Sequence, residues 1–377
     1  MKRTKLLPTA VLAVLILVLG VLTVKRATLR ELGVALPAPS SAPAPTEEPA
    51  PVFEERDYVI SCIGDCTLAS HQFASFAASY RGRIGDDYAK PFSATAQYFA
   101  DDELTLSNLE CTLSDKKLQS MEQYFFLAPT AYAQILTQGG VDFVTTANNH
   151  MEDFGEQGVL DTYAALEAAG LPYGKEGEAQ IIETRSGLKI GIYCAYNHLK
   201  PDLDAAVAAV TSLRLQGAEY IVCMFHWGKE LYYSPNDEQT TLAHACIDAG
   251  ADLIYGSHTH CLQPIEAYGD GIILYSLGNW TFGGSTSPTD KDTAIVQLTI
   301  HRNADGSLKC TGIKRIPCCV SGRPVNEGYS GDNYNDYIPT PYTEGSDAYQ
   351  RALSKLDGTF QPDSEGRDYS DVYAQYG

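Results

Sequence analysis

Six short segments carry residue types that can hold a metal ion or move a proton, and each follows a run of apolar residues. They are Gly64-Asp65, Asn108-Leu109-Glu110, Asn148-Asn149-His150 with Asp153 and Gly155, His226-Trp227-Gly228-Lys229-Glu230, Gly256-Ser257-His258-Thr259-His260, and Ser276-Leu277-Gly278-Asn279. Two carboxylates, an amide oxygen and three imidazoles form the mixed oxygen and nitrogen set that suits Mn²⁺, Fe or Zn²⁺. His258 and His260 are two residues apart, a spacing that in an extended segment aims both rings to one side. Gly64, Gly228, Gly256 and Gly278 are expected to let the backbone turn sharply beside the site. Each segment alone has a plainer reading. An Asp after a strand often caps a helix, Asn-Asn-His can be a polar turn, and His226 beside Trp227 can be a core imidazole bonded to backbone. The joint pattern decides: His150, His226, His258 and His260, four of the eight histidines, all stand at strand ends. His71, His198, His244 and His301 lack that context and read as surface or packing residues.

The elements that must position these residues alternate between apolar, β-branched runs and helical stretches, an α/β pattern. Strands are expected at 58–63, 104–108, 141–146, 189–193, 220–225, 252–255, 272–275, 294–300 and 308–315. Helices are expected at 130–138, 157–169, 203–216 and 237–249. In such folds ligands gather beyond the carboxyl ends of strands. From about residue 263 strand follows strand, which suggests parallel units feeding a second, antiparallel-rich sheet. The chain divides into an N-terminal membrane anchor (1–30), a Pro/Ala-rich linker (31–56), the α/β body (57–320) and a Tyr/Gly/Asp-rich C-terminal tail (321–377) whose role composition does not give.

Composition excludes several classes. The 377 residues carry a net charge of −20. No acidic residue precedes Glu31 and six basic ones do, so the remainder sets 21 basic against 47 acidic residues, a charge of −26. That surface repels phosphate backbones and anionic headgroups, which argues against nucleic acid as a partner. A 44% hydrophobic content excludes a disordered chain. Residues 6–24 are free of charge and flanked by Lys2, Arg3, Lys5, Lys25 and Arg26. At about 1.5 Å per residue they nearly span a bilayer core of about 30 Å. A cleaved signal is the alternative, but its apolar region usually runs about 7–15 residues and no small-x-small cleavage site follows directly. A single-pass anchor followed by a proline-rich spacer reads as a domain held at the outer face of the cell membrane. The ten cysteines form no C-x-x-C pair, so Cys62, Cys194 and Cys223 read as small buried hydrophobes. Outside a cell, either some of the thiols pair or oxidant is scarce.

The six segments, in this order and with Gln263 and Tyr275 beside them, resemble the CapA family of capsule-synthesis proteins across about residues 58–317. That family is associated with poly-γ-glutamate capsule production and is similar to the calcineurin-like metallophosphoesterases. The resemblance implies a four-layer αββα sandwich of two mixed sheets, behind one N-terminal transmembrane helix, with a dinuclear divalent-metal site (Mn, Fe or Zn) between the sheets. It implies Asp65, Glu110, Asn149, His226, His258 and His260 as ligands and His150 as the group that protonates the leaving atom. The reaction implied is hydrolysis of a phosphoester or a γ-linked amide in an envelope polymer or anionic small substrate, with capsule synthase subunits as further partners. A non-catalytic polymer- or synthase-binding export factor on the same fold is the alternative. Two departures bear on that choice. Asp65 is followed by Cys66 and Thr67 rather than opening an Asp-x-His pair, and Ser70 and Thr259 stand where the family commonly has Arg and Pro.

Overall fold

Runs rich in Val, Ile, Tyr and Phe fit a pleated, half-buried surface, and here they build two sheets. The computed structural model describes residues 53–120, 122–197, 203–327 and 334–362. The anchor, most of the spacer and His198 fall outside the described residues, among which no helix is long and apolar enough to cross a membrane. The strands are β1 (Arg56–Thr67), β2 (Leu104–Leu109), β3 (Thr112–Leu113), β4 (Leu127–Ala128), β5 (Phe143–Thr145), β6 (Tyr173–Gly174), β7 (Ala179–Glu183) and β8 (Lys189–Asn197). They continue with β9 (Tyr220–Trp227), β10 (Leu253–Ser257), β11 (Ile265–Tyr268), β12 (Gly271–Leu274), β13 (Asn279–Phe282), β14 (Asp292–Arg302), β15 (Leu308–Cys319) and β16 (Thr340–Pro341). The helices are α1 (Tyr80–Ile84), α2 (Ala133–Gln138), α3 (Gly155–Ala169), α4 (Leu203–Leu215), α5 (Asp237–Asp248), α6 (Gly322–Glu327) and α7 (Asp347–Leu356).

The first sheet runs β16-β15-β14-β1-β2-β5-β6, with β13 also against β1, and the second runs β11-β12-β10-β9-β8-β7. The protein is thus a mixed α/β fold, but its antiparallel strands do not form a sheet of their own. β14 pairs antiparallel with β1 from Arg56↔Arg302 to Cys62↔Val296, while β2 lies parallel on the other side of β1. Within the last third, β13 to β16 therefore complete the first sheet, while β11 and β12 join the second. Antiparallel β7 and β11 likewise border the parallel set β8, β9, β10 and β12. The physical reason is that β1 is central, and a central strand needs a hydrogen-bonding partner on each edge.

The period-2 pleat sorts side chains between layers. Ile60 and Cys62 of β1 and Leu104 and Leu106 of β2 share one apolar cluster with Ile190 and Ile192 of β8 and Val222 and Met224 of β9. The alternate residues Ile221, Cys223 and Phe225 pack instead with Val210 and Leu213 of α4 and Leu242 and Cys246 of α5. On the far face of the first sheet, Ile63, Leu109 and Val144 pack with Ile135 and Leu136 of α2 and Leu166 of α3. Each such buried side chain contributes about 1.5–3 kcal/mol. Local signals set the helix ends. Asn236 and Gln239 form a reciprocal capping box at the start of α5, and Gly170 stops α3 in the left-handed conformation (φ 69°).

The described part of the stretch from residue 321 packs on this body. β16 pairs with β15, and the buried Tyr337 donates its hydroxyl to Ala78 O at 2.6 Å. Helix α7, capped by Ser346, inserts Lys355 beneath Asp290 and Asp292 with Nζ–O distances of 2.7–2.8 Å. All ten cysteines are unpaired thiols, nine of them buried, and Cys62, Cys194 and Cys223 fill core positions.

Candidate metal centre

The carboxyl ends of several strands converge between the sheets. Asp65 comes from β1, Glu110 directly follows β2, and Asn149 and His150 lie between β5 and α3. His226 is near the end of β9, and His258 and His260 follow β10. Asn108 Nδ2 donates to Asp65 Oδ1 at 2.9 Å, while Asn148 Nδ2 donates to Asn108 Oδ1 at 3.0 Å and to Leu109 O at 2.8 Å. The backbone N–H of His258 donates to Asp65 Oδ2 at 3.2 Å. These bonds orient the carboxylate and the loops that carry the other groups.

The donors then meet in a way that suits a cation. His226 Nε2 lies 2.8 Å from Asn149 Oδ1, 3.0 Å from His258 Nδ1 and 3.4 Å from Glu110 Oε1. In the tautomer that gives its Nδ1–H to the Ser257 hydroxyl at 2.9 Å, itself a donor to Phe225 O at 3.2 Å, the His226 Nε2 lone pair faces the cluster; Asn108 Nδ2 also lies 3.3 Å from that Nδ1. Likewise His260 Nδ1 gives its proton to Asn279 Oδ1 at 2.8 Å, leaving Nε2 3.9 Å from Glu110 Oε1. Glu110 is 1% exposed, and neither of its oxygens accepts a hydrogen bond from the described residues. A buried carboxylate so placed is costly without a positive partner. Two groups have ligand atoms close enough to share an ion, Glu110/His226/His258 and Asp65/Glu110/His260, and Glu110 belongs to both. The residues present therefore fit a divalent cation of the borderline class.

Burial pushes the Asp65 carboxyl up to about 7, with the nearby Glu110 charge adding to the rise. Burial also raises Glu110. Burial works against a charged His260, yet the charges of Glu110, Glu230 and Asp65 hold it above the ordinary histidine value. His150 behaves similarly: burial opposes its charge, but Asp153 and Glu110 raise it. Asp153 Oδ2 lies 3.0 Å from His150 Nδ1 and also accepts Phe126 N–H at 2.9 Å. That fixes Nδ1 as the protonated nitrogen facing Asp153. A cavity of about 590 Å³ opens over the cluster, with Glu110, Asn149, His150, His260 and Asn279 on its wall.

Three sequence expectations need correction. His258-Thr259-His260 is not extended, for β10 ends at Ser257 and His258 and His260 take φ values of 93° and 53°. Thr259 O receives Leu231 N–H at 2.7 Å, and the resulting turn, not the pleat, brings the rings to a 6.1 Å centroid separation. Gly228 and Gly278 do turn sharply (φ 82° and 68°), but Gly64 and Gly256 serve close approach. A Cβ on Gly64 would lie 2.1 Å from Gly278 O, and one on Gly256 2.1 Å from Tyr275 O. The third concerns His71, which lines the cavity although no strand end marks it in the sequence. His244 stacks on Tyr268 and His301 pairs with Asp57, both as packing or surface residues. Glu230, four residues beyond His226, also reaches the cavity.

The description "Bacterial capsule synthesis protein PGA_cap" matches residues 59–284. The chain is 29% identical over 282 residues to "Capsule biosynthesis protein CapA" of Bacillus anthracis, covering 68% of this chain and 67% of that protein. It is 32% identical over 201 residues to "PGA biosynthesis protein CapA" of Bacillus subtilis (strain 168), covering 48% of this chain and 52% of the relative, about half its length. A solved structure of a hypothetical protein from Thermus thermophilus aligns with a TM-score of 0.45 at 14% identity, over 69% of this chain and 98% of that one. With that description matching more than half of the chain, the protein belongs to the bacterial capsule synthesis protein family, PGA_cap.

Proposed function

We propose that this protein serves poly-γ-glutamate capsule synthesis as a metal-dependent hydrolase of an envelope polymer, cleaving a phosphoester or a γ-linked amide. In this reading the three apolar clusters are the seams of an αββα sandwich like that of the metallophosphoesterases. Residues 57–320 form its body, held by the 6–24 helix at the outer face of the cell membrane, and synthase subunits are its neighbours. The observation that carries the chemistry is Glu110, buried with both oxygens lacking hydrogen-bond donors and common to two ligand groups. Asp65, Glu110, Asn149, His226, His258 and His260 would hold the metal. Bound divalent cations would acidify a water nucleophile and offset charge on the reacting oxygens. His150, with Nδ1 held by Asp153, has Nε2 left to protonate the departing atom. Its raised pKa keeps a larger fraction protonated near neutrality.

A non-catalytic export factor is the second reading, favoured by Thr67, which puts a hydroxyl where an Asp-x-His pair would put an imidazole. Elemental analysis of the purified full chain, with turnover of bis(p-nitrophenyl) phosphate and of a γ-linked glutamate oligomer in Mn²⁺, separates the two. Bound metal that is lost in His258→Ala, together with turnover of either substrate, supports the hydrolase. Metal without turnover of either substrate favours the export factor, and metal content unchanged in His258→Ala overturns the ligand assignment.

A further inference from the structure

The wall of the cavity over the candidate metal centre is rich in acidic side chains, and its basic groups are the imidazoles of His71, His150 and His260. Besides Glu110 its wall carries Glu122, Glu230 and Asp290, and neither a lysine nor an arginine. Asp290 is already neutralised by Lys355 at 2.7 Å. Glu230 has no ion pair or hydrogen-bond partner for its carboxylate among the described residues. It is held in place by the next residue, Leu231, whose left-handed backbone (φ 60°) and N–H bond to Thr259 O lock this turn to the His258–His260 turn. Phe73, Tyr124 and Phe282 add aromatic faces to the same wall. Glu110, on the same wall, is buried with neither oxygen accepting a hydrogen bond from the described residues, which independently suits a positively charged group there.

A second groove, of about 540 Å³, adjoins the first at His71, which lines both. Gln72 Nε2 bonds to Gln123 O at 3.1 Å, tying a segment of one wall to a segment of the other. This groove carries Arg81 and Lys116. Lys116 is paired with Asp161 at 2.6 Å, and the groove's Asp115 accepts the N–H and hydroxyl of Thr130. Arg81 has no ion pair among the described residues. The carboxylate of Glu230 and the guanidinium of Arg81 therefore stand in adjoining grooves that share His71, each without an ion pair among the described residues, while Asp115 keeps its own charge beside Arg81 and the Glu230 charge acts on His260.

We infer that the cleft receives the free amino end of a carboxylate-bearing chain, with Glu230 pairing with the terminal ammonium and Arg81 with a following carboxylate. The inference rests on the polymer reading above and narrows it from the polymer at large to its amino terminus. The interior of a poly-γ-glutamate chain offers Glu230 carboxylates, which it repels, and neutral amide N–H groups, which bind it more weakly than an ammonium does. The amino end alone supplies a cation, and the aromatic wall favours that cation further.

The test uses the full-length protein loaded with Mn²⁺ and a γ-linked glutamate pentamer labelled with a fluorophore at its carboxyl end, either with a free amine or N-acetylated. At pH 7 the amine, with an ordinary pKa near 8, is charged. Fluorescence anisotropy should give the free-amine pentamer at least about tenfold tighter binding. Glu230→Gln, at unchanged metal content, should bring the two within about twofold, whereas Arg81→Gln should weaken both alike. Equal affinity for the two pentamers, or a preference that survives Glu230→Gln, overturns the inference and leaves the polymer reading standing. Binding of neither pentamer overturns the polymer reading and this inference with it.

Discussion

Acidification from pH 7.5 to 5.5 should strip metal from the centre without unfolding the protein. Asp65 is fully buried, and in the metal-free protein its carboxyl titrates at about 7 against an ordinary 3.8, because burial and the charge of Glu110 disfavour the anion. A bound cation requires the anion. Below pH 7 each unit therefore costs about tenfold in apparent affinity, so pH 5.5 costs roughly 30-fold from Asp65 alone. Glu110 and His260, also raised, must lose protons on binding and steepen the curve. The linkage for stability has the opposite sign. A carboxyl raised on folding is protonated in the folded state between about pH 4 and 7 while the unfolded chain is ionised, so acidification through that window stabilises the metal-free fold. Competition of Mn²⁺ between the protein and a chromophoric chelator, with calorimetry in two buffers of different ionisation enthalpy, should show weakening affinity and release of at least one proton near pH 6. The melting temperature of metal-free protein should not fall between pH 7 and 5.5. Affinity that is flat across this range, with no proton release, would refute the account of Asp65.

Two further outcomes follow from the geometry. His150→Asn should leave metal content intact and lower kcat by about 10²–10⁴, the usual weight of a general acid; elemental analysis beside single-turnover kinetics checks it, and full activity would remove His150 from the mechanism. Lys355→Met should cost about 3–5 kcal/mol by leaving two buried carboxylates short of their cation, lowering the melting temperature by roughly 5–15 °C. Adding Asp290→Asn should recover part of that loss, because Asp292 keeps Arg351 and Tyr342 as partners.

Much of the frame is legible in the sequence because the elements announce themselves locally. All nine expected strand cores fall on or within a residue or two of observed strands, and the four expected helices overlap observed ones. Strand partners are not legible in this way: β1 and β14 are joined by a pairing some 240 residues apart, which no local pattern encodes. β7 carries little local signal because an edge strand reading Ala-Gln-Ile-Ile-Glu is only half buried. Helix α7 lies in a segment whose Tyr/Gly/Asp-rich composition masks it, although Ser346 as its cap and Ala352, Lys355 and Leu356 on its buried face mark it. At the candidate site, residues at strand ends could be found because the strand marks them. His71 reaches the cavity through a loop, and loop paths depend on tertiary contacts such as Gln72 to Gln123.

The centre draws its two kinds of donor from two different sheets. Asp65, Glu110 and Asn149 ride on strands and loops of the first sheet, and His226, His258 and His260 on those of the second. Oxygen donors alone form a weak site for a borderline ion, and imidazoles alone leave its charge unbalanced. Neither half is therefore a site by itself, and a bound ion would act as a cross-link whose strength depends on how the two halves are aligned. Any displacement of one sheet relative to the other would therefore be registered as a loss of metal affinity.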